Sequence, residues 1–279
     1  MKILSIQSRV TSGYVGNAAA VPILQRLGCT VWPVDTVTFS NHPAHGAHTG
    51  GIRPAPEIEM LIRGLCNQNL LAQCDAILTG YLGSANIAPI IIAAVQRIRD
   101  ANPAALWCCD PVMGDHGQFY VTEDIPRFFR NKALPNSNII LPNAFEAEHL
   151  SGISVTTVNE AAKAASLLLA KGPKTVIITG IIEGDQVGAV AADANGCWAC
   201  LASAIAAPTY GAGDAFTSLF VCHYLKSNNL RKALGRAVNG IHKILSRTAK
   251  ARTADLDLIA ALPALDELAP LPVKKIGWF

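Results

Sequence analysis

The chain has 279 residues, 51% of them hydrophobic, with 23 basic against 20 acidic side chains and a formal net charge of +3. That apolar share supplies a sizeable core and excludes a disordered chain, and no run of Lys and Arg is long enough to track a nucleic-acid backbone. The apolar residues 1–6 give way at once to Gln7, Ser8 and Arg9, too short for a secretory signal, and no stretch reaches the ~18 apolar residues of a membrane span, so a soluble cytoplasmic protein is expected.

In chain order, short apolar runs at 2–6, 30–34, 75–79, 106–109, 138–141 and 175–179 predict strands, each bounded by turn or polar residues. Amphipathic stretches at 17–27, 57–66, 87–99, 122–134 and 160–171 predict helices between them. Parallel neighbours need a crossover, so this alternation implies an α/β fold with a mostly parallel sheet. Runs at 187–192 and 197–201 flank Asp193-Ala194-Asn195-Gly196, whose Asn-Gly step suits a tight reversal, and predict an antiparallel hairpin at one edge. Helices at 212–226, 230–249 and 255–262 complete a single domain over 1–279, with no repeat or low-complexity segment.

The eight cysteines read as small buried hydrophobes. Cys197 and Cys200 form a C-x-x-C, but residues three apart in a strand face opposite sides, which argues against a shared metal or local disulfide.

Three segments carry chemistry. In "APTYGAGDAFTSLF", residues 207–220, the apolar positions Phe216, Leu219 and Phe220, continued by Tyr224, recur at helical spacing, which places Gly211 and Gly213 at a helix start. Glycines there let backbone N–H groups converge on an anion, where the helix dipole adds positive charge. Asp214, in the first turn, is placed to accept a proton from an attacking hydroxyl, which points to phosphoryl transfer to an alcohol. An ordinary turn with an acidic first-turn residue has the same pattern.

In "CDPVMGDHGQFYV", residues 109–121, Asp110 falls at a strand's carboxyl end, where open α/β sheets bind ligands. Pro111 breaks the strand, and Gly114 and Gly117 loosen a loop able to serve as a lid; a plain Asp-Pro turn is the other reading. In "LPNAFEAEHL", residues 141–150, Asn143 and Glu146 lie three apart at a helix start. They either face one metal–nucleotide site or form an N-cap with its capping box.

In that order, "ILSIQSRVTSGYVGNAAA", "VDTVTFSNHPAHGAHTG", "LTGYLGS", "DPVMGDHGQFYV", "PNAFEAE" and "YGAGDAF" resemble the pyridoxal kinases of the ribokinase superfamily, over residues 1 to about 248. The resemblance implies a ribokinase-like three-layer α/β/α fold, a homodimer, and transfer of the γ-phosphoryl group of ATP to the hydroxymethyl group of pyridoxal, pyridoxine or pyridoxamine. By that similarity Asp214 accepts the hydroxyl proton, and the amides of Gly211, Ala212 and Gly213 stabilise the moving phosphoryl group. Asp110 and Glu146, with Asn143, hold or orient the Mg²⁺-bound phosphates, and K⁺ often accompanies this site. Ser8 matches a serine at the polar edge of the pyridine ring, Tyr81 an aromatic packing near it, His42 a substrate-loop position and Thr179 a position near the nucleotide. Without the resemblance, Ser8 and Thr179 are unremarkable strand ends, Tyr81 a core aromatic and His42 a polar surface residue.

The chain also departs from the family pattern. Pro43 stands where a substrate-binding Thr is common, His45 and His48 where aromatics are frequent, and Leu141 where many relatives carry Thr near the phosphates; Gly180 follows Thr179 where relatives use a side chain. These bear on substrate preference and cation dependence. The competing readings are a hydroxymethylpyrimidine or sugar kinase, and a vitamer-binding protein that has lost catalysis.

Overall fold

The apolar runs assemble into a ten-stranded sheet in the computed structural model, which describes residues 1–277. The strands are β1 (Lys2–Val10), β2 (Thr30–Phe39), β3 (Gly50–Ile52), β4 (Ala76–Thr79), β5 (Leu106–Cys109), β6 (Gly114–Asp115), β7 (Gln118–Phe119), β8 (Ile139–Ile140), β9 (Thr175–Glu183), β10 (Gln186–Asp193), β11 (Gly196–Ser203) and β12 (Lys274–Ile276). The helices are α1 (Asn17–Arg26), α2 (Ala55–Asn67), α3 (Ala88–Ala101), α4 (Asp124–Phe128), α5 (Leu134–Asn136), α6 (Ala144–Ser151), α7 (Val158–Leu169), α8 (Ala212–Ser227), α9 (Leu230–Ala251) and α10 (Leu258–Ala261). Among the described residues, none of them is long and apolar enough to cross a membrane.

The sheet order is β3-β2-β1-β4-β5-β8-β9-β10-β11-β12, with β6 and β7 paired as a separate hairpin. Strands β2 through β9 run parallel, while β3 at one edge and β10 to β12 at the other are antiparallel. Alternation along each strand sends side chains to two cores. Leu4, Ile6 and Cys109 join Ile58 of α2, Ile91 of α3 and Leu168 of α7 on one face. Ile3 and Cys108 join Ile23 of α1, Phe220 of α8 and Leu234 of α9 on the other. Each such Ile, Leu or Phe contributes roughly 1.5–3 kcal/mol by leaving water. The result is the expected three-layer α/β/α arrangement. Cys197 and Cys200 also fall in opposite cores, as strand geometry requires.

The structure departs from the sequence pattern in three places. The 114–119 segment is not a loosened loop but the β6–β7 hairpin, turning at His116 (φ 49°) and Gly117 (φ 79°). A Cβ on Gly114 would stand 2.4 Å from the Gln118 carbonyl and from the Phe145 ring, so this glycine permits close packing rather than motion. The 122–134 helix is shorter and divided: α4 passes into a π-helical turn at Phe129–Ala133 before α5, whose Pro135 has no N–H to give an α-turn. Near the C-terminus, residues 255–262 yield only the short α10 and a 3₁₀ turn.

Strand β1 is where the order reverses, with β2 and β3 built to one side and β4 onward to the other. The carboxyl ends of β1, β4, β5, β8 and β9 therefore open onto one crevice, the ligand position of open α/β sheets.

Candidate active site

Helix α8 brings its N-terminus to this crevice. Gly211 is its N-cap, with φ 83°. A Cβ there would lie 1.8 Å from the Tyr14 carbonyl oxygen, so only glycine allows the helix start to abut the turn after β1. From that turn, the Gly16 N–H donates to Asp214 Oδ2 at 2.8 Å. Gly16 (φ 54°) is constrained in the same way, since a Cβ would meet the Ser8 carbonyl at 2.1 Å and Ser8 Oγ at 2.4 Å. Ser8 and Asp214 thus lie on either side of one backbone turn. Burial raises the Asp214 carboxyl to about 6, and the Gly16 N–H opposes that shift.

The Ala212 N–H already donates to the Thr209 carbonyl at 2.8 Å. It is therefore engaged within the loop, unlike a free donor of the kind the glycine-rich pattern suggests. Among the described residues, the N–H groups of Gly213 and Asp214 have no protein acceptor, and Gly213 is exposed at the helix's positive end. A Cβ on Gly213 would meet nothing within 4 Å, so its value there is an open approach to the backbone.

Asp110 follows β5 and is 6% exposed. Thr217 Oγ1, on α8 one turn beyond Asp214, donates to Asp110 Oδ2 at 3.0 Å. Burial, with the Asp214 charge adding to it, raises Asp110 to about 8, against the pull of the Thr217 hydrogen bond. Glu146, 2% exposed, is pushed well above the usual carboxylate range by burial and by Asp110. Its oxygens accept from the Met113 N–H and the Asn143 N–H, each at 2.9 Å, while Asn143 Oδ1 accepts from the Glu146 N–H. The capping-box reading of this pair is the one the structure shows: the box of α6 is complete, and it holds Glu146 beside Asp110. Asn143 Nδ2 also donates to the Gly114 carbonyl at 2.8 Å, tying α6 to the hairpin.

Three buried carboxylates, of which Asp214 raises the proton affinity of Asp110 and Asp110 that of Glu146, mark a place built for a cation or an anion–cation pair. Among the described residues no group of three or more His, Cys, Asp or Glu side chains is arranged to hold a metal by itself. Two carboxylates are nonetheless the donor set that suits Mg²⁺ when phosphates and water complete the shell.

The remaining candidates stand after β4, within β9 and in the segment after β2. Thr179 ends the parallel part of β9, its N–H on the Pro142 carbonyl at 3.0 Å. Gly180 (φ 73°) is the extra residue of a β-bulge against β10 and offers backbone where a side chain would stand. Tyr81, half-buried after β4, lies with its ring 6.4 Å from that of Tyr120, which follows the hairpin and feels the charges of Glu146 and Asp110. His42 stacks on Tyr210 at 4.6 Å, directly before Gly211, and burial keeps its ring below the usual imidazole range. Pro43 opens a 3₁₀ turn capped by His42, a position where a missing N–H costs nothing. His45 reaches Asp255 at 3.1 Å. His48 packs instead against Phe39, and Leu141 is buried in the core.

Sequence reasoning did not single out Gly16, Thr217, Tyr120 or Tyr210. Thr217 carries a usable signal, since i and i+3 share a helix face with Asp214. Gly16 does not, because its role depends on contact between segments 198 residues apart.

Residues 58–256 match the model of the phosphomethylpyrimidine kinase family. A pyridoxal kinase of Rubrobacter xylanophilus is 40% identical over 99% of this chain and 98% of its own length. One of Granulibacter bethesdensis is 39% identical, covering 94% of each. Among solved structures, pyridoxal kinase from Leishmania donovani in complex with ADP and pyridoxamine superposes with a TM-score of 0.92 at 27% identity, over 99% of both chains.

Proposed function

The chain belongs to the pyridoxal kinase family, and from that membership we propose that it transfers the γ-phosphoryl group of ATP to the hydroxymethyl oxygen of pyridoxal, with pyridoxine and pyridoxamine as further acceptors. The observation that carries this is the joint placement, at one helix start, of a raised-pKa carboxylate at Asp214 and the unpartnered N–H groups of Gly213 and Asp214.

Asp214 takes the hydroxyl proton as the oxygen attacks the γ-phosphorus; the bond to the β-phosphate oxygen breaks, and ADP leaves. Charge on the transferring group is met by the helix dipole and the Gly213 N–H, with Gly211 setting the close approach of the loop. Ala212 joins them only where its N–H leaves the Thr209 carbonyl. Asp110 would hold Mg²⁺ together with phosphate oxygens, with Glu146 acting directly or through water, and Asn143 keeping Glu146 in place. When bound, Mg²⁺ neutralises phosphate charge. Thr179 and Gly180 would border the nucleotide, and K⁺, when bound, would add to the neutralisation of phosphate charge. Ser8, Tyr81 and His42 surround the pyridine ring, with Ser8 supplying the polar contact and the aromatic groups the packing.

A homodimer is part of the same reading, supported by exposed apolar side chains at Ile52 of β3 and at Met60 and Leu61 of α2. Eight free cysteines suit a reducing compartment such as the cytoplasm.

The deciding experiment offers the three vitamers and hydroxymethylpyrimidine separately with Mg-ATP, with and without K⁺, and follows the phosphorylated product by mass. Pyridoxal 5′-phosphate formation supports the assignment. Product from hydroxymethylpyrimidine alone would transfer it to the kinase named by the family model, and binding of pyridoxal without turnover would leave a binding protein.

A further inference from the structure

Helix α8 carries a second polar centre, far from Asp214. His223 lies nine residues further on, about 13 Å along the axis. It lines a cleft of about 450 Å³ between the C-terminal end of α1, α8, α9 and the segment after the 3₁₀ turn of residues 262–265. His223 is 6% exposed, yet neither ring nitrogen has a hydrogen-bond partner among the described residues. A buried imidazole with both nitrogens unpaired is rare and calls for a ligand.

The other charged groups of the cleft define what would fit. Lys226 Nζ donates to the Leu27 carbonyl at 2.5 Å, and Arg236 Nε to the Leu268 carbonyl at 3.0 Å. Those bonds fix both cations while leaving the remaining ammonium and terminal guanidinium donors without a protein acceptor among the described residues. Asp266 is already paired with Arg26, and Glu267 stands at the exposed rim. Burial, Arg236 and Lys226 together hold His223 at about 4, so its ring is neutral at ordinary pH and presents one N–H donor and one bare nitrogen acceptor.

A ligand completing this centre needs oxygens for two cations and an imidazole N–H, and also a hydroxyl hydrogen for the bare nitrogen. Sulfate and simple carboxylates lack that hydrogen. Hydrogenphosphate and a singly ionised phosphate monoester have it. We propose that His223, Lys226 and Arg236 form a binding site for a protonated phosphate group, separate from the crevice that holds Asp214.

The test uses the full chain with ¹⁵N-labelled histidine, following the side-chain ring nitrogens while inorganic phosphate, methyl phosphate or sulfate is added at pH 7. His223→Gln identifies the His223 signals by their loss, and shifts at His42 report any binding in the crevice. Expected are a saturable displacement of the His223 signals at millimolar or lower phosphate, about tenfold weaker response to sulfate, and about tenfold weaker phosphate binding in Arg236→Gln, a loss of about 1.4 kcal/mol. Response to methyl phosphate but not inorganic phosphate would assign the site to monoesters, and the reverse to the free ion. The proposal is overturned by His223 signals that do not move with either phosphate, by equal binding of sulfate, or by an unchanged response in a folded Arg236→Gln.

Discussion

Replacing Asp214 by Asn changes one functional group and little else. The amide has nearly the same volume, and its oxygen retains an acceptor for the Gly16 N–H now bonded at 2.8 Å. Fold and nucleotide affinity should persist while the proton acceptor is lost. A positioned general base contributes about 10²–10⁴-fold, so kcat should fall by that factor, about 3–5 kcal/mol in the barrier. The wild-type pH profile carries an independent signature. Burial raises Asp214 to about 6, so the carboxyl is protonated, and unable to take the hydroxyl proton, below that pH. About nine-tenths of the enzyme is active at pH 7 and about one-tenth at pH 5, a roughly tenfold loss along an acid limb in kcat/KM that reports the free enzyme. The assay is kcat/KM for Mg-ATP, from initial rates of vitamer phosphate formation at low Mg-ATP between pH 5 and 8, with kcat taken at saturation and ATP affinity measured by calorimetry. A folded Asp214→Asn enzyme whose kcat stays within about tenfold of wild type, or which keeps the same acid limb, would refute the role assigned to this carboxylate.

Asp110→Asn should separate stability from activity. With a folded pKa of about 8 against an ordinary 3.8, the native state holds a proton that the unfolded chain releases, so Asp110 lowers stability progressively as pH rises from about 4 to 8. The variant, followed by urea denaturation, should exceed wild type by up to a few kcal/mol at pH 8 and match it near pH 4, while phosphorylation falls at least about 100-fold. Gly211→Ala adds a Cβ 1.8 Å from the Tyr14 oxygen at φ 83°, and a loss of about 2 kcal/mol or more is expected in the same assay, with a raised KM for ATP. Thr217→Val removes the 3.0 Å hydrogen bond to Asp110, so the Mg²⁺ concentration for half-maximal rate should rise severalfold, with thermal stability little changed because the Asp110 carboxyl can protonate.

The parallel framework was legible because each strand is a contiguous apolar run and each helix an amphipathic one. The strand ends then placed Asp110, Asn143 and Thr179 on one edge without further information. Four short strands escaped: β3 and β12 have no room for a periodic pattern, and the pairing of β6 with β7 needs Gly114 close to Gln118 and Phe145, which no local pattern reveals. The glycine-rich turn located the helix start, but which amides are free was not readable, since the Ala212 N–H is taken by a neighbour three residues back. Contacts between distant segments were invisible for the same reason. Nothing local in "TSGYVGN" indicates that Gly16 will hold Asp214, or that Asp255 will meet His45 across 210 residues. For Glu146 the capping box leaves room for a ligand role, because a buried carboxylate needs donors and the box supplies them.

Phosphoryl transfer at Asp214 requires the acceptor alcohol, the carboxylate and the terminal phosphate to meet at one point. A crystal structure with pyridoxal and a non-hydrolysable ATP analogue measures this directly. The hydroxymethyl oxygen should lie about 2.6–3.2 Å from an Asp214 carboxylate oxygen, with the γ-phosphate on the Gly213 N–H. A complete ternary complex in which that oxygen points elsewhere, and Asp214 contacts only Gly16, would contradict it.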